Sequence, residues 1–363
     1  MRILVLNAGS SNLKASLIEP PNRAPAFERT IGWIDDGRDG ASATVRDVLK
    51  AADEPIDAIG HRVVHGGERF TGPTRLDDTA IDGIESMTEL APLHIPLGVA
   101  TIRSARQFLP DVPQVAAFDT AFHATLPESA LRYPVPDDWA RAGIRRFGFH
   151  GLSVAWSVQR ASEILDRRVE ELRLVVAHLG GGCSVTAVDA GKSVDTSMGM
   201  TPLEGLMMGT RAGSIDPGIV FHRLRDGQPA ETIESDLDLR SGLVGIAGSA
   251  DMGQLLEREA GGDDRARLAV EMFVRRAAAA IAASATNLAT IDAIVFTGGI
   301  GEHAQSVRTR ICGRLHLVQL DGREREVEGD GWLGTTSDTS VLRITAREDL
   351  VIAAQVVAVV RGT

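Results

Sequence analysis

The sequence contains two copies of one pattern, a strand followed by a loop of small residues and a second strand. In the first copy, the apolar run RILVL of residues 2–6 stops at Asn7 and passes through Ala-Gly-Ser-Ser-Asn into LKASLIE. The second copy, LRLVVAHLGGGCSVTAVDAGKS, has Gly180 to Gly182 where the first has Gly9, Ser10 and Ser11. Each copy predicts a hairpin whose loop offers backbone N–H groups to an anion. Two equivalent hairpins indicate two related lobes, with chance similarity between glycine-rich hairpins as the alternative.

The length and charge of the chain narrow the class of protein. The 363 residues suggest roughly two domains with full cores. A hydrophobic content of 44% with 24% charged residues is ordinary for a globular protein, so neither disorder nor a fibrous class fits. The net charge of −11 argues against a nucleic-acid partner, because phosphate backbones require a basic surface. Anionic substrates would therefore need arginines that create a local positive site.

The expected location follows from what the sequence lacks. No apolar run is long enough to span a bilayer, and the apolar stretch in MRILVLNAGSS is too short for a signal peptide. Cys183 and Cys312 lie far apart without a metal-type spacing, which suits a reducing compartment. We expect a cytoplasmic protein with no membrane partner.

Residues 193–218, SVDTSMGMTPLEGLMMGTRAGSIDPG, form a segment of glycine, small residues and methionine. Its single cation, Arg211, stands between Gly209 and Gly213, with Asp216 just beyond. The planar guanidinium matches phosphate oxygens in a bidentate manner, and a glycine-rich backbone can present it closely. An ordinary loop with a surface arginine is the alternative that this segment leaves open by itself.

The first half of the chain also predicts a strand and glycine turn in DAIGHRVVHGGE, residues 57–68. His61 and His65 have the spacing of a zinc motif, but Arg62 replaces its glutamate and the β-branched residues oppose a helix, so we reject a metal pair. We expect a helix over 97–108 and a strand in VPQVAAFDTAFH that ends near Asp119.

The next segment, from the turn-rich connector YPVPDDW onwards, leads into the second hairpin. GIRRFGFHGLS places His150 between glycines, and a helix over 153–166 follows.

The last third predicts a long alanine-rich helix capped by Asp263 or Asp264 and ending near Leu288. The strand DAIVF then stops at a glycine loop, TGGIGE, an arrangement in which α/β proteins bind nucleotides. Neither a Walker loop nor a dinucleotide fingerprint is present, since Thr186 stands where a Walker pattern would need its first glycine. SVLRIT is a further strand, and Glu348 opens a closing helix, where a glutamate commonly complements the helix dipole.

Three glycine loops after strands, two arginines beside glycines and no nucleophile with an attached base favour phosphoryl transfer. That chemistry depends on positioning and charge neutralisation. Seven motifs also carry a family resemblance, in the same order from Asn7 to Ala353: NAGSSNLK, HRVVHGGE, FDTAFH, GIRRFGFHG, VDTSMGMTPLEGLMMGTR, TGGIGE and AREDLVIA. Together they resemble the acetate kinase family.

The resemblance implies an α/β fold of the actin, sugar kinase and acetate kinase superfamily, with two duplicated lobes and a central cleft. We expect an N-terminal lobe of residues 1–120 plus the returning helix 350–363, and a nucleotide-binding lobe of residues 121–349. The implied reaction is the reversible conversion of ATP and acetate to ADP and acetyl phosphate by direct in-line transfer. Magnesium, with manganese as the alternative ion, and a homodimer are implied as well.

The resemblance also assigns roles at the catalytic centre. Arg62 and Arg211 match the pair that holds the carboxylate and the phosphoryl group, and His150 matches the histidine that hydrogen-bonds this group. Asp119 matches the carboxylate at the centre. The magnesium positions fall on Asn7 and Glu348, and for Glu348 a metal role and a dipole role are compatible.

Further segments match the nucleotide site and the acyl pocket. The Gly-Ile pair at 299 and 300 favours ATP over pyrophosphate, and the small pocket favours acetate or propionate. Pocket residues of this type are also common in cores, which is the alternative for each one singly. The nucleotide segments are Lys14, His178, Leu179, Gly180, Gly181, Gly182, Asp251, Met252, Gly253, Gly299, Ile300, Gly301, Glu302 and His303. The pocket residues are Val64, Leu93, Phe149 and Pro202.

The chain departs from the family's pattern mainly on the nucleotide side, and it is shorter between residues 16 and 57. Three hypotheses follow: an acetate kinase with weaker nucleotide binding, a kinase for propionate or butyrate, and a catalytically weak paralogue that binds nucleotide or acetyl phosphate. The intact catalytic positions argue against the third. The departures are Gly181 for Asn, Val154 for His, Gly253 for Arg, Ala212 for Ser, Ser214 for Asp and Ile95 for Asn.

Overall fold

The computed structural model describes residues 1–9, 12–33, 38–92, 94–315, 329–335 and 339–362. The chain divides into two compact units. Unit 1 comprises Met1–Ala124, Phe149–Trp156 and Arg347–Thr363, and unit 2 comprises Thr125–Gly148 and Ser157–Ala346. The nucleotide-binding role expected of the second lobe stays a prediction.

The described residues form strands and helices in alternation. The strands are β1 Ile3–Ala8, β2 Asn12–Ile18, β3 Phe27–Gly32, β4 Ala58–Val63, β5 Thr74–Arg75, β6 Gln114–Phe118, β7 Arg173–Leu179, β8 Cys183–Asp189, β9 Lys192–Thr196, β10 Ala293–Thr297, β11 Gly331–Thr335 and β12 Ser340–Arg343. The helices are α1 Arg38–Ala52, α2 Asp78–Glu85, α3 Ile95–Phe108, α4 Glu128–Leu131, α5 Asp137–Arg141, α6 Gly151–Leu165, α7 Pro217–Arg225, α8 Ala230–Leu239, α9 Gly242–Ala247, α10 Met252–Ala260, α11 Asp264–Ala285, α12 Gly298–His303, α13 Gln305–Arg314 and α14 Glu348–Arg361.

The sheet of unit 1 has the order β3-β2-β1-β4-β6-β5. The β1–β2 hairpin and β3 are antiparallel, whereas β1, β4 and β6 run parallel to one another. Helices cover both faces, which explains why β1 reads as a continuous apolar run. Ile3 and Val5 pack with Ile352 and Val356 of α14, and the alternate residues Leu4 and Leu6 belong to a second core cluster.

The closing helix α14 lies directly on this sheet. A Cβ atom added at Gly60 in β4 would come within 2.5 Å of the Cγ2 of Ile352, so a side chain there would displace the helix. Helix α14 is therefore packed on the sheet of unit 1, and Glu348 at its start lies where the parallel strands end.

The sheet of unit 2 has the order β11-β12-β10-β7-β8-β9. Taken from its β9 end, this sheet begins with the antiparallel strands β9, β8 and β7. Strands β10 and β12 then run parallel to β7, and β11 is an antiparallel edge strand. The long helix α11 packs against β7 and β8. Because the two sheets share one order of strand directions, the duplicated architecture expected from the hairpins is confirmed.

Three local predictions need correction. The connector YPVPDDW contains the short helix α5, and the glycines after DAIVF form the helix α12 rather than a loop, because Gly298 has the left-handed φ of 77° that turns the strand into a helix. The alanine-rich helix is capped by Asp263 as expected but ends at Ala285. Among the described helices, none is long and apolar enough to cross a membrane.

Candidate functional site

Four polar side chains meet at the end of the unit 1 sheet where its parallel strands finish. Asn7 and Arg62 are paired in the parallel register of β1 and β4, near the carboxyl ends of both strands. Asp119 follows β6, and its N–H donates to the carbonyl of Val63 at 3.0 Å. Glu348 is the first residue of α14. Carboxyl ends of neighbouring parallel strands define the usual ligand site of an open α/β sheet.

The guanidinium of Arg62 connects these groups. Its Nε donates to both oxygens of Asp119 at 3.1 Å, and its Nη2 donates to Oδ2 of the same carboxylate. Its Nη1 donates to Oδ1 of Asn7 at 3.2 Å, and the Asn7 amide in turn donates to Oε2 of Glu348 at 3.0 Å. The contacts fix the guanidinium plane at the end of β4.

The electrostatics of this cluster follow from its burial. The side chain of Asp119 is 1% exposed, and those of Arg62 and Glu348 are 16% and 17% exposed. Burial raises the pKa of Asp119 to about 6, opposed by the charge of Arg62 and assisted by that of Glu348. For Arg62, burial acts to lower the pKa, but the charges of Asp119 and Glu348 overcome it and raise the pKa above its ordinary value. When all three groups are ionised, the cluster carries one surplus negative charge.

His150 lies next to this cluster because of the backbone around Gly151. The N–H of Gly151 donates to the carbonyl of Asp119 at 2.9 Å, and a Cβ atom added at Gly151 would come within 2.2 Å of that oxygen. His150 itself has a left-handed φ of 59°. Only a glycine permits this close approach, so the sequence GFHG places the histidine beside Asp119.

A small apolar cavity opens beside Arg62 within unit 1. Val64, expected in the acyl pocket, lines it together with Val63, Ile84 and Val99. Ile95, one of the departures from the family's pattern, also contributes to its wall and is 2% exposed. Phe149 is buried and contacts the ring of His65 edge-on. Leu93 lies outside the described residues.

Of the two histidines with the spacing of a zinc motif, His61 lies inside β4 and His65 follows that strand. His61 is buried, its Nε2–H donates to Oε1 of Gln114 at 2.8 Å, and burial lowers its pKa to about 4. Within the described part of the chain, no group of three histidine, cysteine or acidic side chains is arranged to hold a metal ion.

Arg211 lies in unit 2, in the irregular segment between β9 and α7. Its Nη1 donates to the carbonyl of Pro202 at 3.3 Å and contacts the Sδ of Met208 at 3.8 Å. Met207 and Met208 are buried, so the methionines anchor the segment while the guanidinium stays 24% exposed. Thus Arg211 and Pro202, both predicted for the site, are in contact.

A polar cluster that the sequence did not indicate holds the Pro202 segment. Arg146 donates to Oε1 of Glu204 at 2.9 Å and to the carbonyl of Met198 at 2.8 Å. Tyr133 donates to the other oxygen of Glu204 and accepts from the N–H of Met200 at 2.9 Å. Burial and the carboxylate of Glu204 raise the pKa of this phenol. Tyr133 is the single tyrosine of the sequence, and this rarity is the one sequence feature that could have drawn attention to it.

The expected nucleotide segments of unit 2 cluster around the ends of β7 and β10. His178 and Thr297 are paired in register there, and a Cβ atom at Gly180 would lie 3.6 Å from the N–H nitrogen of Gly299. Gly181 and Gly299 have open space where a side chain would project. The arrangement leaves backbone exposed at this edge.

Two further segments expected to bind the nucleotide are distant in sequence from the ends of β7 and β10. Asp251 caps α10 by accepting from the N–H of Gln254 at 3.0 Å, and this helix contains Met252 and Gly253. Lys14 is exposed on β2 of unit 1, opposite Asn7 in the hairpin register. Buried Arg308 donates to the carbonyls of Gly301 and Glu302, which fixes the end of α12.

Two units that repeat one sheet topology, each with polar groups or bare backbone where its parallel strands end, define the class of this molecule. It is an α/β kinase of the actin-like type, a phosphotransferase.

The chain belongs to the acetokinase family, whose model matches residues 41–354. An acetate kinase of Synechococcus sp. is 42% identical over 97% of this chain and 98% of its own length. The crystal structure of Porphyromonas gingivalis acetate kinase has a TM-score of 0.90 at 31% identity and covers 99% of both chains. A propionate kinase from Francisella tularensis has a TM-score of 0.88 at 36% identity and covers 98% of both.

Proposed function

We propose that this chain is an acetate kinase that reversibly transfers the γ-phosphoryl group of ATP to acetate, giving acetyl phosphate and ADP. The observation that supports this most directly is Arg62, whose guanidinium is held by Asp119 and Asn7 beside a small apolar cavity. A short carboxylate is charged at one end and apolar at the other. Such a molecule fits a site with a fixed cation next to apolar walls.

In this proposal the two arginines divide the work of charge neutralisation. Arg62 orients the carboxylate of the acyl substrate, and Arg211 binds the phosphoryl group in transit. His150 donates a hydrogen bond to that group, and Asp119 keeps Arg62 in one orientation. Direct in-line transfer needs no covalent enzyme intermediate, since positioned cations stabilise the charge that spreads over the phosphoryl oxygens.

A divalent cation, magnesium in this proposal, fits the chemistry of the Asn7 and Glu348 side chains. Both offer hard oxygen donors, and the buried cluster around Arg62 has a surplus of one negative charge when Asp119 and Glu348 are ionised. Glu348 and Asn7 would hold the ion, which supplies neutralisation of phosphate charge. Contacts of Arg347 fix the start of α14, because its Nη2 donates to the carbonyl of Arg23 at 2.7 Å and to Asp349 at 2.8 Å.

The phosphates of ATP would contact the backbone at the ends of β7 and β10. A strand-to-helix turn such as the one into α12 suits an anion, and the exposed glycines Gly181 and Gly299 leave space for it. We place the reaction in the cytoplasm, which agrees with two buried, unbridged cysteines, Cys183 and Cys312.

Propionate is the second candidate substrate. The relative from Francisella tularensis is a propionate kinase. Most residues that line the cavity beside Arg62 are aliphatic, with His94 among the others. One additional methylene in an apolar pocket changes selectivity by roughly 10- to 200-fold, so the two acids are readily distinguished.

Purified protein incubated with ATP, magnesium and acetate, propionate or butyrate tests the proposal when acyl phosphate is trapped with hydroxylamine. We expect the highest kcat/KM with acetate. A higher value with propionate would assign the second function, and no product from any of the acids would reject both. Omission of magnesium is expected to abolish product formation.

We also propose that the chain forms a homodimer through α7. This helix has no buried residue, and its apolar side chains Ile219, Phe221 and Leu224 are exposed. Analytical ultracentrifugation is expected to give a dimer for the unmodified protein and a weaker one for Phe221→Ser. The matched control Leu268→Ser, on the exposed face of α11, should leave the assembly unchanged. A monomer at all concentrations would reject this interface.

A further inference from the structure

Asp238 lies close to Arg211, although the two residues belong to different segments of unit 2. Asp238 is near the end of α8, and its Oδ1 is 4.0 Å from the Nε of Arg211. The two side chains are 26% and 24% exposed, so the pair is only partly hydrated. Partial burial strengthens the interaction of opposite charges relative to the surface.

Backbone contacts on both sides of Arg211 fix this proximity. The hydroxyl of Thr210 donates to the carbonyl of Asp238 at 2.7 Å, and the N–H of Ala212 donates to the carbonyl of Leu237 at 3.0 Å. The N–H of Ser241 donates to the carbonyl of Thr210 at 2.9 Å. The carboxylate and the guanidinium are therefore held near each other by the fold.

The opposite charges of the pair act on each other at close range. Within the described residues, the carboxylate of Asp238 accepts no side-chain hydrogen bond; burial raises its pKa and the charge of Arg211 lowers it. Two further contacts of Arg211, with Pro202 and Met208, are to neutral groups. Asp238 thus supplies a nearby negative charge to Arg211 before any substrate is bound.

We propose that Asp238 is an internal counter-ion that sets the affinity of the site for its anionic substrate by competing for Arg211. The negative charge of Asp238 offsets part of the positive potential of Arg211. An incoming carboxylate or phosphoryl group is therefore attracted to the guanidinium less strongly. The same carboxylate assists departure of the anionic product. Asp238 thus influences the affinity for the anion indirectly, through its effect on Arg211. The inference rests on the proposed function, in which Arg211 contacts the anion.

The test compares Asp238→Asn with the unmodified protein in steady-state kinetics for acetate and for acetyl phosphate. We expect KM for both anions to fall about two- to fivefold, the size expected for a partly exposed ion pair, with a smaller change in kcat. Asp238→Ser, a second neutral variant, should give the same direction. Calorimetric titration with acetyl phosphate in the absence of nucleotide should show the same gain in affinity.

Asp236→Asn is the matched control, because it removes one negative charge from the same helix while its carboxylate pairs with Arg240. It should leave KM unchanged, and Asp238→Asn should have no effect on KM in an Arg211→Ala background. An unchanged or higher KM in Asp238→Asn, or an equal fall in Asp236→Asn, would overturn the inference. Absence of acyl phosphate with the unmodified protein would instead reject the proposed function.

Discussion

Arg62 and Arg211 are both partly buried arginines, but they lie in different kinds of structure. Arg62 is near the end of β4 and contacts Asp119 and Asn7 at hydrogen-bond distances. Arg211 lies in an irregular segment and contacts a carbonyl, a sulfur atom and the carboxylate of Asp238 at 4.0 Å. The first guanidinium is therefore part of the charge balance of a core, since Asp119 beside it is 1% exposed. The carboxylate of Asp238 beside the second is 26% exposed and stays in reach of water when Arg211 is removed. We expect the two arginines to affect stability and catalysis differently.

The largest expected effect is on the turnover of Arg211→Ala. Because this variant loses one charge-stabilising donor and little packing, kcat should fall by at least roughly 10²-fold, while the midpoint of urea unfolding stays near that of the unmodified protein. The hydroxylamine assay and circular dichroism measure the two quantities. Arg211→Lys serves as a control that keeps the charge without the planar fork, and it should recover only part of the rate. A near-normal rate for Arg211→Ala would remove this residue from the chemistry.

Arg62→Ala should have the larger effect on stability. Removing one partner of a buried ion pair leaves Asp119 unpaired, which costs about 3–5 kcal/mol in the free energy of unfolding. Urea unfolding of the variant measures this cost.

The double variant Arg62→Ala with Asp119→Ala is the control for that experiment. It removes both charges and should recover part of the loss. Equal stability of the single variant and the unmodified protein would show that Arg62 and Arg211 do not differ in the way their surroundings indicate.

The pH dependence of stability offers a finer test of unit 1. Burial raises the pKa of Asp119 from 3.8 to about 6. The folded protein then keeps a proton that the unfolded chain has already released, so Asp119 contributes stability that is present below about pH 4 and is lost as the pH rises through about 6. The free energy of unfolding of the unmodified protein minus that of Asp119→Asn should therefore decrease between these pH values. A difference that is constant or increases with pH would contradict the assignment.

The smallest expected effect concerns Gly181 in unit 2. A side chain at this position meets no atom within 4 Å, so Gly181→Asn should fold and add a donor near the proposed phosphate site. One hydrogen bond of about 0.5–1.5 kcal/mol would lower KM for ATP by about two- to tenfold. Gly313→Asn, which also projects into open space, controls for the substitution itself. An unchanged KM for ATP in Gly181→Asn would place the phosphates elsewhere.

Much of the architecture could be predicted from local patterns. The two hairpins, the helix over Ile95–Phe108, the cap at Asp263 and the helix start at Glu348 were all predicted close to their observed positions. These features depend on short-range properties, since apolar runs, capping side chains and glycine turns act within a few residues. The glycines of TGGIGE predict a loop, because glycine disfavours helices in general. Helix α12 forms nevertheless, and the left-handed conformation of Gly298 at its start depends on the tertiary context.

The composition of the polar clusters depended on the tertiary structure instead. Asn7 and Glu348 are 341 residues apart in the chain, yet the Nδ2 of Asn7 lies 3.0 Å from the Oε2 of Glu348 in the fold. The family motifs indicated both residues, but not their contact. The Arg146–Glu204–Tyr133 cluster and Asp238 had no sequence signal strong enough to select them from the other charged residues.

By itself, the sequence determined the duplicated strand pattern, the family and the residues that repeat its motifs, because these are properties of residue order. Only the tertiary structure decided which charges lie within a few ångströms of each other. That outcome depends on strand register, on the return of α14 and on the backbone contacts between α8 and the Arg211 segment. Electrostatic interactions act through space rather than along the chain, and for this reason the pairing of Asp238 with Arg211 became visible only in the fold.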